Sequence, residues 1–476
     1  MKEKKRIYID IAAYILILCF TVAGIIVSLN RFWQYEVFYI DFGIFDQAIW
    51  HVSRFEAPII EHFIVGGKWI FADHFNPSIF LLSPFYWLTT RSEMLLVVQA
   101  VVVGLSGIVL YGIGKHVLRN KLLALSILVC YFLFSGLQNA VITEFHELTI
   151  ATLPLMLTFW AILNKKLKLY LLFLIITLGF KESLFATGIG IGMALFFLHK
   201  KWWHIAFLTI IISIVWGIIS IKFIIPAFSN GIYIYAPSFP DGILNKLSSL
   251  VDNPIKVKTL FHSFLSFGFL PIFSPTFWPL IIQDYALRFL PAGFGSTRWD
   301  LGLHYNAQSA VILAMASVFG LRNLMKTKQS SKFIPFLGII LMINAFILYR
   351  FILHGPFALA YNSAFYRHTK DLVFLNDLIK KIPANSSVMT HNNLAARFTH
   401  QQVWILRSDY KIYRPDYILI DNREGQNPND FFGTLGSIAD IIKTIQRDSY
   451  YKLTYNTEEQ FIFKRVKNLN DARIYQ

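Results

Sequence analysis

The chain has 476 residues, 55% of them hydrophobic and only 15% charged, with 44 Lys and Arg against 28 Asp and Glu and a formal net charge of +16. A water-soluble chain carries roughly 25% charged residues, so these proportions exclude a string of ordinary soluble domains. The basic residues lie in short runs between apolar stretches rather than on one patterned face, which excludes nucleic acid as the reason for the charge.

The first element is the apolar run Ile7 to Leu29, behind the basic end Lys2-Glu-Lys-Lys-Arg6. It is longer than a signal-peptide core and no small-residue cleavage site follows, so it is expected to remain as an uncleaved first span. Further apolar segments follow at 94–114, 122–138, 148–163, 169–180, 183–198, 205–225, 259–274, 277–290, 307–321 and 333–353. Together they predict an α-helical polytopic membrane protein with about 11 transmembrane helices. Several are shorter than the ~20 residues a straight crossing needs, which predicts tilted, broken or re-entrant pieces. The stretch Pro77 to Leu88, interrupted by Pro84, is expected to lie at the interface without crossing. Cys19 and Cys130 both sit in apolar runs, away from any disulfide or metal framework.

Orientation is read from the basic loops. Lys2 to Arg6, Lys115 to Lys121, Lys165 to Lys168, Lys200-Lys201 and Arg322 to Lys332 fall on one side if every segment crosses. That places the N-terminus in the cytoplasm and nearly all the net charge on the inner face. The opposite side receives a first outer loop of about 31–92 and a tail from His354. The tail changes character. A helix-like stretch Phe365 to Lys381 precedes strand candidates at Ser387 to Thr390 and Tyr417 to Asp421. A helix at Leu435 to Arg447 and strands at Tyr451 to Tyr455 and Gln460 to Phe463 complete it. The expected division is a transmembrane domain 1–353 and a small extracytoplasmic α/β domain 354–476.

Ionisable residues recur on the outer side. The first loop carries Asp41, Asp46 and Gln47, then Glu61-His62 and Asp73-His74. Asp41 stands where a helix N-cap would, and capping accounts for it as readily as chemistry does. Later come Glu144-Phe-His146-Glu147, Lys181-Glu182, Asp284, Arg288, Arg298 and His304-Tyr305. A charge at mid-bilayer costs about 2.5–3.5 kcal/mol, so such groups pair or line a cavity. The mixture suits an anionic lipid substrate, whose phosphate Arg and Lys clamp while a carboxylate takes a proton from an acceptor hydroxyl. His62, His74, His146 and His304 with neighbouring acids are also a candidate set for a divalent cation, although no HExxH-type spacing is present.

The ordered set Asp41 to Trp50, His74 with Pro77, Glu144-Phe-His146, Lys181-Glu182 and His304-Tyr305 resembles the signature of the DUF2079 membrane proteins. The tail phrases Ile382 to Val388 and Asp416 to Asp421 fit the same resemblance, which covers roughly 35–425. That group is similar to the GT-C superfamily of multi-span glycosyltransferases, which use polyprenyl-phosphate sugars on the non-cytoplasmic face. The resemblance implies a GT-C-like fold in a prokaryotic cytoplasmic membrane, a polyprenyl-phosphate-linked sugar donor and an unknown acceptor. It also implies Asp41, or Asp46 five residues on, as the catalytic carboxylate. Lys181, Arg288 or Arg298 would neutralise the phosphate, while Gln47, His74, Glu144, His146, Glu182, His304 and Tyr305 would bind donor and sugar. Two other functions stay open at this point: a transporter or flippase for a lipid-linked sugar or small molecule, and a non-catalytic assembly or sensor protein.

Overall fold

The computed structural model describes residues 2–61, 69–292, 297–326, 334–367, 370–424, 437–457 and 459–466. It divides into two compact units. The first comprises Met1–Leu29, Phe71–Leu81 and Leu95–Phe365, the second Asn30–Ile70, Leu82–Met94 and Tyr366–Gln476. Most of the loop expected at 31–92 thus belongs to the same unit as the tail.

Apolar helices make up the first unit. By length and composition, four described helices can cross a membrane: Ile7–Trp33, Met94–Leu118, Lys200–Phe228 and Asn306–Leu324. Lys121–Leu133 and Ser135–Ile142 add a fifth if taken as one span bent by 50°. The bend falls at Phe134, whose ψ of 112° takes the backbone out of the helical region and interrupts the hydrogen-bond ladder. Glu147–Leu163, Leu167–Leu178, Leu184–Leu198 and Phe336–Ile352 are apolar but shorter. A helix of about 12 residues covers roughly 18 Å of a ~30 Å hydrocarbon layer. The segment expected at 259–274 is α-helical over Pro254–Ser266, ends where Gly268 and Phe269 take positive φ (58° and 56°), and continues as a short 3₁₀ turn at Leu270–Phe273. The segment at 277–290 is the helix Trp278–Phe289, and Pro77–Trp87 winds as a tight 3₁₀ run containing Pro84.

Two observations show how this unit divides its apolar surface. Asn306–Leu324 is buried on nearly every face, and Gly320 lies so close to the Leu270 carbonyl that a Cβ would collide with it. Lys200–Phe228 instead turns Trp203, Phe207, Ile218 and Phe223 outward, with Phe223 65% exposed. Large apolar side chains spread along an exposed helix face need lipid as their solvent.

The second unit holds a five-stranded sheet in the order β2-β1-β3-β5-β4. Its strands are β1 (Val388–Thr390), β2 (Val403–Ile405), β3 (Tyr417–Asp421), β4 (Tyr451–Thr457) and β5 (Gln460–Arg465). β2, β1 and β3 run parallel, and β3 pairs antiparallel with β5, which forms a hairpin with β4. The helix Ile438–Gln446, capped by the Ser437 hydroxyl, presses Ile441, Ile442 and Ile445 onto Met389, Ile418, Ile420 and Phe463. That isoleucine spacing of three and four residues is the one-face pattern of a helix lying on a sheet. The loop residues of this unit contribute the helix Ile44–Ser53, preceded by a wide π turn over Tyr39–Gly43. Asn392 accepts a hydrogen bond from the Ile40 amide at 3.1 Å.

Candidate functional site

In the first unit, the ionisable residues gather where apolar helices begin or end. Lys181 and Glu182 occupy the turn between Leu167–Leu178 and Leu184–Leu198. His146 immediately precedes the helix at Glu147, and His304 and Tyr305 precede Asn306. Asp73 and His74 lie just before Pro77, and Tyr233 and Tyr235 follow the helix that ends at Phe228.

Two ion pairs form the centre. Lys181 Nζ reaches Glu147 Oε1 at 2.5 Å, and His74 Nδ1 reaches Glu182 Oε1 at 2.8 Å, with all four residues buried. Neighbours satisfy the rest of Glu182: the Tyr233 hydroxyl donates to Oε1 at 2.9 Å and the Phe75 amide to Oε2 at 3.2 Å. Tyr235 stacks on His74 with ring centroids 4.4 Å apart and donates to Asp73 at 2.9 Å. On the other side His146 and His304 pack ring against ring at 3.5 Å, and His304 contacts Tyr305 at 4.1 Å. Lys181 and Arg298 each lie 5.9 Å from the Tyr305 ring centre, within reach of its π face.

These contacts set the charges. Burial alone would raise the Glu182 carboxyl, but the adjacent His74 and Lys181 hold it down to about 2. Burial would discharge His74, yet Glu182 outweighs burial and raises it above 6.5. Lys181 is likewise kept charged by Glu147 against its own burial. His146 is pushed down to about 3 by burial, and His304 falls well below its usual value for the same reason, with His146 and Lys181 adding to it. The cluster is therefore two compensated ion pairs beside two neutral imidazoles. Among the described residues, Glu147 Oε2, Arg298 Nε and His304 Nε2 are buried without a hydrogen-bond partner. Arg298 also makes no ion pair among the described residues.

Arg288 is differently placed. It donates to Ser309 at 2.5 Å, Asn306 at 2.7 Å and the Arg298 carbonyl at 3.0 Å, and Asp284 lies 3.7 Å away. Those partners fix it as a brace for the loop that carries Arg298. Glu144 is buried at a positive φ of 59°, and its carbonyl accepts from Gln99 at 2.6 Å.

The two loop acids belong to the second unit and differ sharply. Asp41 is exposed. Asp46 is fully buried and accepts from the hydroxyls of Tyr86 and Thr399, with His400 Nε2 at 3.1 Å. Burial would raise the Asp46 carboxyl, but His400 and the two hydroxyls together hold it below 3.8. His400 is itself stacked on Trp50 at 3.9 Å with the rings nearly parallel. Gln47 accepts from the Tyr39 hydroxyl and donates to the Gln401 carbonyl at 3.3 Å. Asp46 and Gln47 thus anchor the loop helix to tail residues of their own unit.

Among the described residues, no group of three or more His, Cys, Asp or Glu is arranged to hold a metal ion. In the first unit the carboxylates that would serve are already paired with Lys181 and His74. His62, named with the candidate cation set, lies outside the described residues. Sequence reading passed over Tyr233, Tyr235, Tyr86, Thr399 and His400. The only signal for the first two is a pair of tyrosines one residue apart in a polar stretch between apolar segments.

Lipid-facing helices, a buried charge cluster at helix ends and a small C-terminal sheet define a polytopic helical membrane protein. Comparison with known families carries this further. The chain belongs to the DUF2079 family, described as predicted membrane proteins, whose model matches residues 37–458. No curated protein gives a significant match.

Proposed function

We propose that the protein is a GT-C-type glycosyltransferase that moves a sugar from a polyprenyl-phosphate-linked donor to an acceptor on the non-cytoplasmic face. The observation that carries the reading is the buried cluster of the first unit, above all Arg298. It is a cation whose buried Nε has no partner among the described residues, beside the compensated pairs Lys181–Glu147 and His74–Glu182. A guanidinium in that state is matched to a phosphate, which it meets with two parallel hydrogen bonds.

On this reading Arg298 neutralises the phosphate leaving group, with Lys181 adding its field across Tyr305. His304 offers Nε2 to a sugar hydroxyl as a neutral partner. Tyr233 and Tyr235 keep Glu182 and Asp73 oriented. The base on this reading is Asp41, the carboxylate that the family resemblance implies, while Asp46 is held by Tyr86, Thr399 and His400. The run of basic loops supports a cytoplasmic N-terminus, and on the same reading the cluster lies on the non-cytoplasmic side, with the shorter apolar helices as partial crossings.

The test is transfer of radiolabelled sugar from a polyprenyl-phosphate donor to membrane acceptors by the purified protein, compared with Asp41→Asn. Covalent transfer that is lost in the variant supports the reading. Movement of intact donor across proteoliposomes without transfer would replace it with a flippase.

A further inference from the structure

We propose that the tail carries a binding site for a phosphorylated carbohydrate, formed by two adjoining cavities where the parallel strands begin. The smaller encloses about 380 Å³ and is lined by four cations, Lys411, Arg414, Arg447 and Arg465, against the one acid Asp448. The larger, about 770 Å³, shares Arg414 and Arg465 with it and extends along the residues that lead into β1, β2 and β3. A ligand lying across both would meet cations at one end and amides, hydroxyls and an aromatic ring at the other.

Charge decides what the smaller cavity takes. Lys411 lies 3.6 Å from Asp448, and Arg465 is bound to Asp416 at 2.7 Å. Arg414 and Arg447 make no ion pair among the described residues. Both stand at helix C-caps, where the helix dipole favours a cation by about 0.3–1 kcal/mol. The dipole explains why each is tolerated there, but not why both face one concavity beside two further cations. A phosphate group is the anion that several guanidinium groups hold best.

Hydrogen bonding decides what the larger cavity takes. Two of its lining residues carry buried side-chain donors with no acceptor among the described residues, Gln401 Nε2 and Arg465 Nε. An unsatisfied buried donor costs about 1–3 kcal/mol, so each would be stabilised by an acceptor oxygen on a ligand. Asn385, Ser386 and Gln402 line the same wall, with the indole of Trp404 beside them. Donor-rich walls beside a partly exposed aromatic face are the chemistry that binds sugar hydroxyls and the apolar face of a pyranose. The site stands independently of sugar transfer, because binding here is measured without turnover.

Titrate the detergent-purified full chain with glucose 1-phosphate, glucose and inorganic phosphate by calorimetry, and repeat with Arg414→Gly and Arg447→Gln. Arg414 has a φ of 47°, which glycine adopts freely, so that variant keeps its fold while losing the guanidinium. The proposal expects glucose 1-phosphate to bind most tightly and each variant to weaken it by about tenfold, the effect of one charge-assisted hydrogen bond. Lys380→Gln, a cation lining neither cavity, should leave binding unchanged. Absence of binding by the unmodified chain, or equal binding by all variants, overturns the site. Inorganic phosphate binding as tightly as glucose 1-phosphate overturns its carbohydrate part. Displacement of glucose 1-phosphate by micelles doped with phosphatidylglycerol, but not phosphatidylcholine, assigns the same chemistry to a lipid headgroup and overturns that part too.

Discussion

Replacing Glu182 with Gln tests the electrostatic core of the first unit. The amide keeps an oxygen for the Tyr233 hydroxyl but removes the charge that faces His74 at 2.8 Å. Glu182 moves from 4.5 to about 2 on folding. At about 1.4 kcal/mol per unit, that shift corresponds to about 3 kcal/mol of stability. Breaking a buried pair typically costs about 3–5 kcal/mol, in agreement. The pH dependence has two edges. The Glu182 contribution is complete above its unfolded value of 4.5 and is lost as pH falls through about 2. His74 is raised above 6.5, so its contribution is complete below 6.5 and is lost as pH rises through the folded value. The pair therefore stabilises most between 4.5 and 6.5. Equilibrium unfolding by SDS in mixed micelles, followed by tryptophan fluorescence, measures the difference at pH 5.5 and 9. A double-mutant cycle with His74→Gln isolates the coupling, expected at about 2 kcal/mol or more at pH 5.5 and smaller at pH 9. A coupling below about 0.5 kcal/mol, or one unchanged across that range, would refute the argument.

Further predictions follow from single residues. Asp46→Asn should cost about 2 kcal/mol at pH 7, because it removes the charged acceptor of Tyr86, Thr399 and His400. Asp46 is held below 3.8, so that deficit should persist at neutral pH and close as pH falls through the depressed value, as acid unfolding curves will record. Gly320→Ala should destabilise by about 1–3 kcal/mol, since the new Cβ meets the Leu270 carbonyl in a helix buried all round. In the tail, Arg414→Gly should be more stable than Arg414→Ala by about 1 kcal/mol in thermal unfolding, because alanine retains the cost of the positive φ.

Periodicity made the apolar segments and most of the sheet readable. Tyr417 to Asp421 matches β3 end for end, and both hairpin strands start where their alternation starts. β2 at Val403–Ile405 has no counterpart among the expected strands, although β1, equally three residues long, does. Crossing counts were harder, since an apolar run does not reveal where Gly268 and Phe269 will reverse φ and end a helix. The site was legible as a set of residue types at helix ends but not as pairs. Nothing in the spacing matches Glu182 to His74, 108 positions away, or Thr399 to Asp46, 353 positions away. Those pairings are tertiary, and they separate Arg298, which makes no ion pair among the described residues, from Arg288, which three protein acceptors hold.

The central claim is sugar transfer assisted by Arg298, and the most direct measurement is turnover of a polyprenyl-phosphate-linked sugar by the intact protein and by Arg298→Gln. The account predicts measurable transfer by the intact protein and a loss of about 10²–10³ in kcat for the variant, the effect of removing a preorganised partner for the leaving group. Equal turnover by both proteins, or intact donor after incubation with every membrane acceptor fraction, would contradict it.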